Sequence, residues 1–372
     1  MSEPRQPEEP GDSGLERRYR RLLAWYPAEH RRVYADEMLG VLLAGARAGQ
    51  RRPGLWETVD LIRSAVWMRL GRTATALSDS RWADAAAVLG VLVPMLLFAR
   101  QARYVLGPYL WAVRLGDEPL GVRPEVWAPL VAWGVVAVLA LSGWRVVTAT
   151  LAWIAVLGEA TMLGLRYLTE PVTVLYSLWP LVLGLTAAAA LSVRGTTRRG
   201  ITVLGRRRIV VFAAAATVGV LASAIDPLTA RVTRSGDVVT IDLWLGGGGG
   251  YLPGIAAGYA GLLTRLVQVA AAVTMLVAVA RTTPPVRRRL LALVAPTLTL
   301  VAIVSLFFAG FAESSVRFTP PVLLVPEQWI VLALAPLAAL PLGVAVVGRR
   351  ERRQYLIQLG EAAERQLEPD PQ

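Results

Sequence analysis

Apolar stretches of about 20 residues recur along this chain from residue 84 to residue 347, separated by short polar segments. A helix needs about 20 predominantly apolar residues to cross the ~30 Å hydrocarbon layer of a bilayer. We therefore predict an all-α, polytopic membrane domain over residues 84–347. It has about eight transmembrane helices, at residues 84–103, 126–144, 146–165, 171–193, 209–226, 258–280, 290–311 and 328–347.

Composition excludes several classes of chemistry. The chain is 55% apolar and only 18% charged, which a soluble protein of this size could not bury. It has no cysteine and a single histidine, His30, so thiolate nucleophiles and Cys- or His-rich metal sites are excluded. All 39 basic residues are arginine. Because a P-loop needs a lysine, a P-loop ATPase is excluded. We predict no catalytic residue, no cofactor and no metal site.

The distribution of arginine predicts the orientation. If the N-terminus is inside, 30 of the 39 arginines lie on the inner side and 8 on the outer side, as the positive-inside rule requires. This predicts a multi-pass protein of the cell membrane with both termini cytoplasmic, including a tail at 348–372. The N-terminus is polar and lacks an apolar core, so no signal peptide is expected. The basic loops adjoin apolar spans, so we expect them to contact the bilayer's anionic headgroups and no nucleic acid.

The residues before the membrane domain predict a small cytoplasmic helical prefix at 13–83. Residues 1–12 are rich in Pro and Glu and are expected to be disordered. Three amphipathic helices account for residues 13–77, and this segment could bind a protein partner or the inner membrane face. Ser13 and Glu16 have the spacing of a capping box. The faces expected to be apolar are Leu15, Tyr19, Leu22 and Tyr26 in the first helix, Val33, Tyr34, Met38, Val41 and Leu42 in the second, and Leu55, Val59, Ile62 and Val66 in the third.

Two charged residues inside the predicted spans are candidate functional residues. Glu159 and Arg265 each lie seven residues from the predicted outer end of a span, at matched depth. Intramembrane charges are costly, and an ion pair between the two would offset the cost. The alternative is that Arg265 extends toward the interface and that Glu159 is protonated or hydrated.

Two weaker features lie in the predicted outer loops. Asp117 and Glu118 are similar to the outer-loop acids of membrane glycosyltransferases that use lipid carriers, but a solvated turn explains them better. Residues 230–243 predict a β-hairpin, followed by five glycines at 246–250.

The segment 15–38 contains Tyr19-Arg-x-Leu-Leu, then Tyr26-Pro, then Arg31-x-x-Tyr-x-x-Glu-Met. It resembles the helical prefix of actinobacterial integral membrane proteins, the permease prefix domain, whose genes often adjoin PadR-type regulators. The resemblance covers residues 15–75 and implies a membrane protein without a settled activity. Permeases of that type have four spans and a large outer domain, whereas eight spans and no such domain are predicted here.

Together these features favour a non-enzymatic membrane protein, acting in transport or as a membrane-regulatory component. Two alternatives stay open. One is a membrane enzyme acting on a lipid-linked substrate, for which Asp117, Glu118 and Glu159 are the only acids placed to help. The other is a sensor or anchor whose prefix binds a cytoplasmic partner.

Overall fold

The computed structural model describes residues 14–367, except 27, 48–49, 79, 117–123, 194–195, 230, 236–237, 243–261, 309 and 312–322. In this part the chain is helical apart from one two-stranded hairpin. The helices are α1 (Gly14–Leu23), α2 (Ala28–Ala44), α3 (Leu55–Ser78), α4 (Ser80–Leu115), α5 (Pro124–Ser142), α6 (Arg145–Arg166), α7 (Pro171–Ser192), α8 (Thr196–Leu204), α9 (Arg206–Leu221), α10 (Ile225–Thr229), α11 (Leu262–Ala280), α12 (Pro284–Phe307) and α13 (Pro326–Leu367), with the strands β1 (Arg231–Ser235) and β2 (Val238–Asp242).

The chain divides into two compact units, residues 1–79 and 80–372. The first unit contains α1, α2 and α3, at the place where three helices are expected. One face of α1 is buried, because Leu15, Tyr19 and Leu23 recur at helical spacing. They form a small core with Tyr26, Leu39 and Ala65.

The predicted apolar faces of α2 and α3 are only partly correct. In α3, Leu55 is 85% exposed, and the buried position is Ala65, with Leu61 packed beside it. In α2, Val33 and Val41 are exposed, and the same is true of Tyr34. Three short helices have too little interior to cover every apolar side chain they carry. The capping residue Ser13 lies outside the described residues.

A polar contact joins α1 to the start of α3. The Tyr19 hydroxyl donates to Glu57 Oε2 at 2.8 Å, and the Gly54 N–H donates to the same oxygen at 3.0 Å. Burial, followed by the neighbouring Glu57 carboxylate, raises the pKa of Tyr19 to about 12. The Gly54 N–H, followed by the Tyr19 hydroxyl, lowers the pKa of Glu57.

The second unit is a helical bundle of a membrane protein. Seven of its described helices are long and apolar enough to cross a membrane: α4, α6, α7, α9 with α10, α11, α12 and α13. The described part of α5, Val126–Ser142, is apolar but shorter, so the count of eight stays a prediction. The central helix is α4, since 83% of its most apolar stretch is buried, against 17% for α11 and for α13.

Two helices continue well past their predicted ends, and one further helix lies between predicted spans. The first span was expected to end at residue 103, but α4 continues to Leu115 and carries three arginines that were assigned to an outer loop. The last span was expected to end at residue 347, but α13 continues through the predicted tail to Leu367. The loop 194–208 contains the helix α8. A bilayer sets the minimum length of a spanning helix and leaves its maximum open.

Helix α8 packs closely on α4. A Cβ atom on Gly200 would lie 2.4 Å from the carbonyl oxygen of Ala87, so only glycine fits at this crossing. An ion pair between Arg199 and Asp84 joins the same two helices.

The remaining connections agree with the sequence more closely. Gly143, with φ of +89°, makes the tight turn predicted between α5 and α6. Strands β1 and β2 pair antiparallel with Ser235 opposite Val238, which confirms the predicted hairpin. The five glycines at 246–250 lie outside the described residues.

A partly buried ion pair fixes α13 against α12. Arg289 donates from Nε at 2.9 Å and from a terminal nitrogen at 2.7 Å to one oxygen of Glu351. The guanidinium also lies 6.0 Å from the ring centroid of Trp82 on α4. This contact ties the extension of α13 to the bundle.

Candidate functional site: a polar cavity in the bundle

A cavity of about 260 Å³ lies where α4, α5, α6 and α7 meet. It is near the end of the bundle at which α6 ends and α7 begins, because Arg166 and Thr173 both line it. Most of the surrounding helix surface is apolar, so the polar groups in this cavity are exceptional. They are Arg100, Gln101, Tyr104, Glu159, Arg166, Thr173 and Ser177.

Glu159 is held by two donors from neighbouring helices. Gln101 Nε2 on α4 donates to Glu159 Oε1 at 3.0 Å, and Trp133 Nε1 on α5 donates to the same oxygen at 2.9 Å. Trp133 is completely buried, so its indole fixes the carboxylate from the protein side. The second oxygen, Oε2, accepts no hydrogen bond within the described part of the chain and is available to a solute.

Arg100 on α4 lines the same cavity. Its guanidinium carbon is 4.7 Å from the ring centroid of Tyr104 and 5.5 Å from that of Trp179. Two aromatic faces stabilise a cation in a poorly hydrated place by cation–π attraction. Arg100 and Glu159 therefore provide one positive and one negative group in a single cavity.

The predicted ion pair between Glu159 and Arg265 is not formed. Glu159 takes its hydrogen bonds from α4 and α5, whereas Arg265 is exposed and lines a different cavity, with Asp226. The reason is helix adjacency: α6 packs on α5 and α7, and α11 packs on α9. Residues at the same depth in the membrane can contact each other only if their helices are neighbours, and α6 and α11 do not pack together as α6 does with α5 and α7.

The other predicted site residues, Asp117 and Glu118, lie outside the described residues. His30 lies on α2 between the rings of Tyr26 and Tyr34, at centroid distances of 5.8 and 4.8 Å. Within the described ranges, no group of three or more His, Cys, Asp or Glu side chains could hold a metal ion.

Sequence reasoning identified one residue of the cavity and missed its partners. Glu159 was found because a charge in an apolar stretch is visible in one dimension. Arg100 lies within the predicted span 84–103 but was counted with the outer-side arginines, so it was not considered as a charge inside a span. Gln101 and Trp133 carry no comparable signal, since neutral side chains are common in membrane helices.

The chain matches no family model, no curated protein and no solved structure. The apolar helices alone place it among integral, multi-pass membrane proteins.

Proposed function

We propose that this membrane protein acts in transport or as a membrane-regulatory component, and that the cavity between α4 and α7 binds a small charged solute. The observation that carries the proposal is that Arg100 and Glu159, one cation and one anion, line a single polar cavity among apolar helices. Ionisable groups at such places are costly and mark solute or proton pathways in membrane proteins. A solute carrying one positive and one negative charge could pair with both groups.

The proposal includes the orientation and the role of the first unit. With both termini on the cytoplasmic side of the cell membrane, the cavity lies toward the outer end of the bundle and is reached from outside. The first unit, similar to a permease prefix, then faces the cytoplasm. Its exposed side chains Trp25, Leu55 and Trp56 support a contact with a protein partner or with the membrane face.

The native chain offers a direct test because it has no cysteine. Ser177→Cys places one thiol in the cavity, and Val138→Cys places one on an exposed, apolar position of α5 as the matched control. A thiol reacts as its thiolate, which forms in water and not in hydrocarbon. In intact cells, a membrane-impermeant cationic thiosulfonate should modify Ser177→Cys at least about tenfold faster than Val138→Cys.

Two further variants test the orientation with the same reagent. Gly236→Cys should react in intact cells, and Gly195→Cys should react only after the membrane is opened. Equal rates for the Ser177 and Val138 variants would show that the cavity is closed to water and would refute a solute site there. Reaction of the Gly195 variant in intact cells would contradict the proposed orientation and would show that residue 195 lies outside.

A further inference from the structure

A second cavity, of about 380 Å³, lies at the same end of the bundle, between α4, the end of α9 with α10, and the start of α11. We propose that it binds the phosphodiester group of a phospholipid. This site is distinct from the solute site of α4 to α7 and does not depend on it. Its defining residues are Arg103, Ser223, Asp226, Thr264, Arg265 and Gln268.

The charges of this cavity fit a monoanion. Arg103 and Arg265 supply two guanidinium groups from two different helices, and Asp226 supplies one carboxylate. The side chains that line the cavity therefore carry a net charge of +1. None of the three forms an ion pair or a side-chain hydrogen bond in the described part of the chain. Guanidinium groups are strong partners of phosphate oxygens. A phosphodiester carries one negative charge, whereas a phosphomonoester carries about 1.5 to 2 at pH 7.

An unpartnered hydroxyl provides an independent indication of a ligand. Thr264 is only 9% exposed, and its Oγ1 has no hydrogen-bond partner. Several other helical threonines donate to a carbonyl one turn back, as Thr274 of the same helix does to Ala270 at 2.8 Å, whereas the buried Thr297 hydroxyl, like that of Thr264, has no partner. A buried hydroxyl without a partner is costly. Because a helical threonine has two accessible χ1 rotamers, a phosphate oxygen in the cavity can accept its hydrogen bond.

The surface beside the cavity fits an acyl chain. Exposed apolar side chains follow Arg265 along α11 at spacings of three and four residues, which places them on one stripe. They are Leu266, Val269, Val273 and Leu276, each more than half exposed. A lipid with its phosphate at Arg265 can therefore lay its chain along this stripe.

The test uses the full-length chain purified in detergent, with binding of dioleoylphosphatidylglycerol followed by native mass spectrometry. Each of Arg265→Gln and Arg103→Gln should weaken binding by about tenfold, the effect of one charge-assisted hydrogen bond. The matched control is Arg281→Gln, an exposed arginine just past the other end of α11, which should bind as the native chain does. Thr264→Val should weaken binding several-fold, and Thr264→Ser should restore it.

Two competitors identify the source of the phosphate. Dioleoylglycerol has the same chains without the phosphate and should bind at least about tenfold more weakly. If millimolar inorganic phosphate displaces the lipid, the anion site serves free phosphate, and if it does not, the site serves the lipid. Equal binding by the native chain, Arg265→Gln and Arg103→Gln would overturn the proposal, and so would dioleoylglycerol binding as tightly as the phospholipid. If Arg265→Gln fails to fold, identical binding by Thr264→Val and Thr264→Ser overturns it instead.

Discussion

The close crossing of α8 and α4 allows the effect of one added methyl group on the free energy of unfolding to be predicted. Gly200→Ala places a Cβ atom 2.4 Å from the Ala87 carbonyl oxygen and 3.0 Å from a methyl group of Val91. The oxygen belongs to the backbone of the most buried helix, so it cannot rotate away as a side chain would. Helix α8 must retreat by about 1 Å to restore an ordinary contact, which also opens the Arg199–Asp84 ion pair.

Two opposing effects set the size of the loss. Overpacking a close contact costs about 1–3 kcal/mol, and a backbone clash falls in the upper part of that range. Alanine in place of glycine recovers about 1 kcal/mol of helix propensity. The net loss in the free energy of unfolding is therefore about 1–2 kcal/mol.

The matched control is Gly158→Ala in α6. A Cβ atom there has nothing within 4 Å, so only the propensity gain remains, and the variant should be as stable as the native chain or up to about 1 kcal/mol more stable. The assay is the apparent thermal midpoint in detergent, followed by the fluorescence of the 12 tryptophans. A Gly200→Ala midpoint at or above that of the native chain, with Gly158→Ala behaving as expected, would refute the close packing of α8 on α4.

Two further predictions concern the contacts of α1 and of α13. The difference in tyrosinate absorbance between the native chain and Tyr19→Phe should titrate near pH 12, and Glu57→Gln should move that midpoint down without reaching 10, since burial is the larger cause. Because the pKa of Tyr19 is raised in the folded state, the stabilisation by the neutral hydroxyl is fully present below pH 10 and is lost as the pH rises through about 12. A titration midpoint of Tyr19 near pH 10 in the native chain would contradict the contact with Glu57. Arg289→Ala should lower the thermal midpoint and speed tryptic cleavage within residues 349–353, because it leaves the partly buried Glu351 without its cation. Arg287→Ala should do neither, because the Arg287 side chain donates to the Ala280 carbonyl and not to α13. Equal effects of the two substitutions would show that the ion pair does not hold α13.

The positions of the membrane helices were predictable because the bilayer dictates them. The fourth span was expected at 171–193, and α7 occupies Pro171–Ser192. The end of α4 was not predictable in the same way. Gly107 and Pro108 are residue types that often end a helix, but both lie inside α4, where Gly107 is next to Ser223.

The candidate site was predictable only in part. The charge of a residue can be read from the sequence, but which helices are neighbours in the bundle cannot. Glu159 was found, and its depth suggested a partner at the same depth. The choice between Arg265 and the actual donors Gln101 and Trp133 depends on which helices are neighbours and on how each is rotated about its axis. Neither quantity can be obtained from apolar periodicity when a helix is apolar on all sides.

The length of α13 has a mechanical consequence. At 1.5 Å per residue, the part beyond residue 347 extends for about 30 Å as an unbroken continuation of a membrane helix. Its two prolines, Pro336 and Pro341, both lie in the apolar part, so the extension itself contains no proline at which it could bend. The Arg289–Glu351 ion pair fixes the start of this extension to α12. A rotation of the last membrane helix about its axis would therefore turn the extension with it.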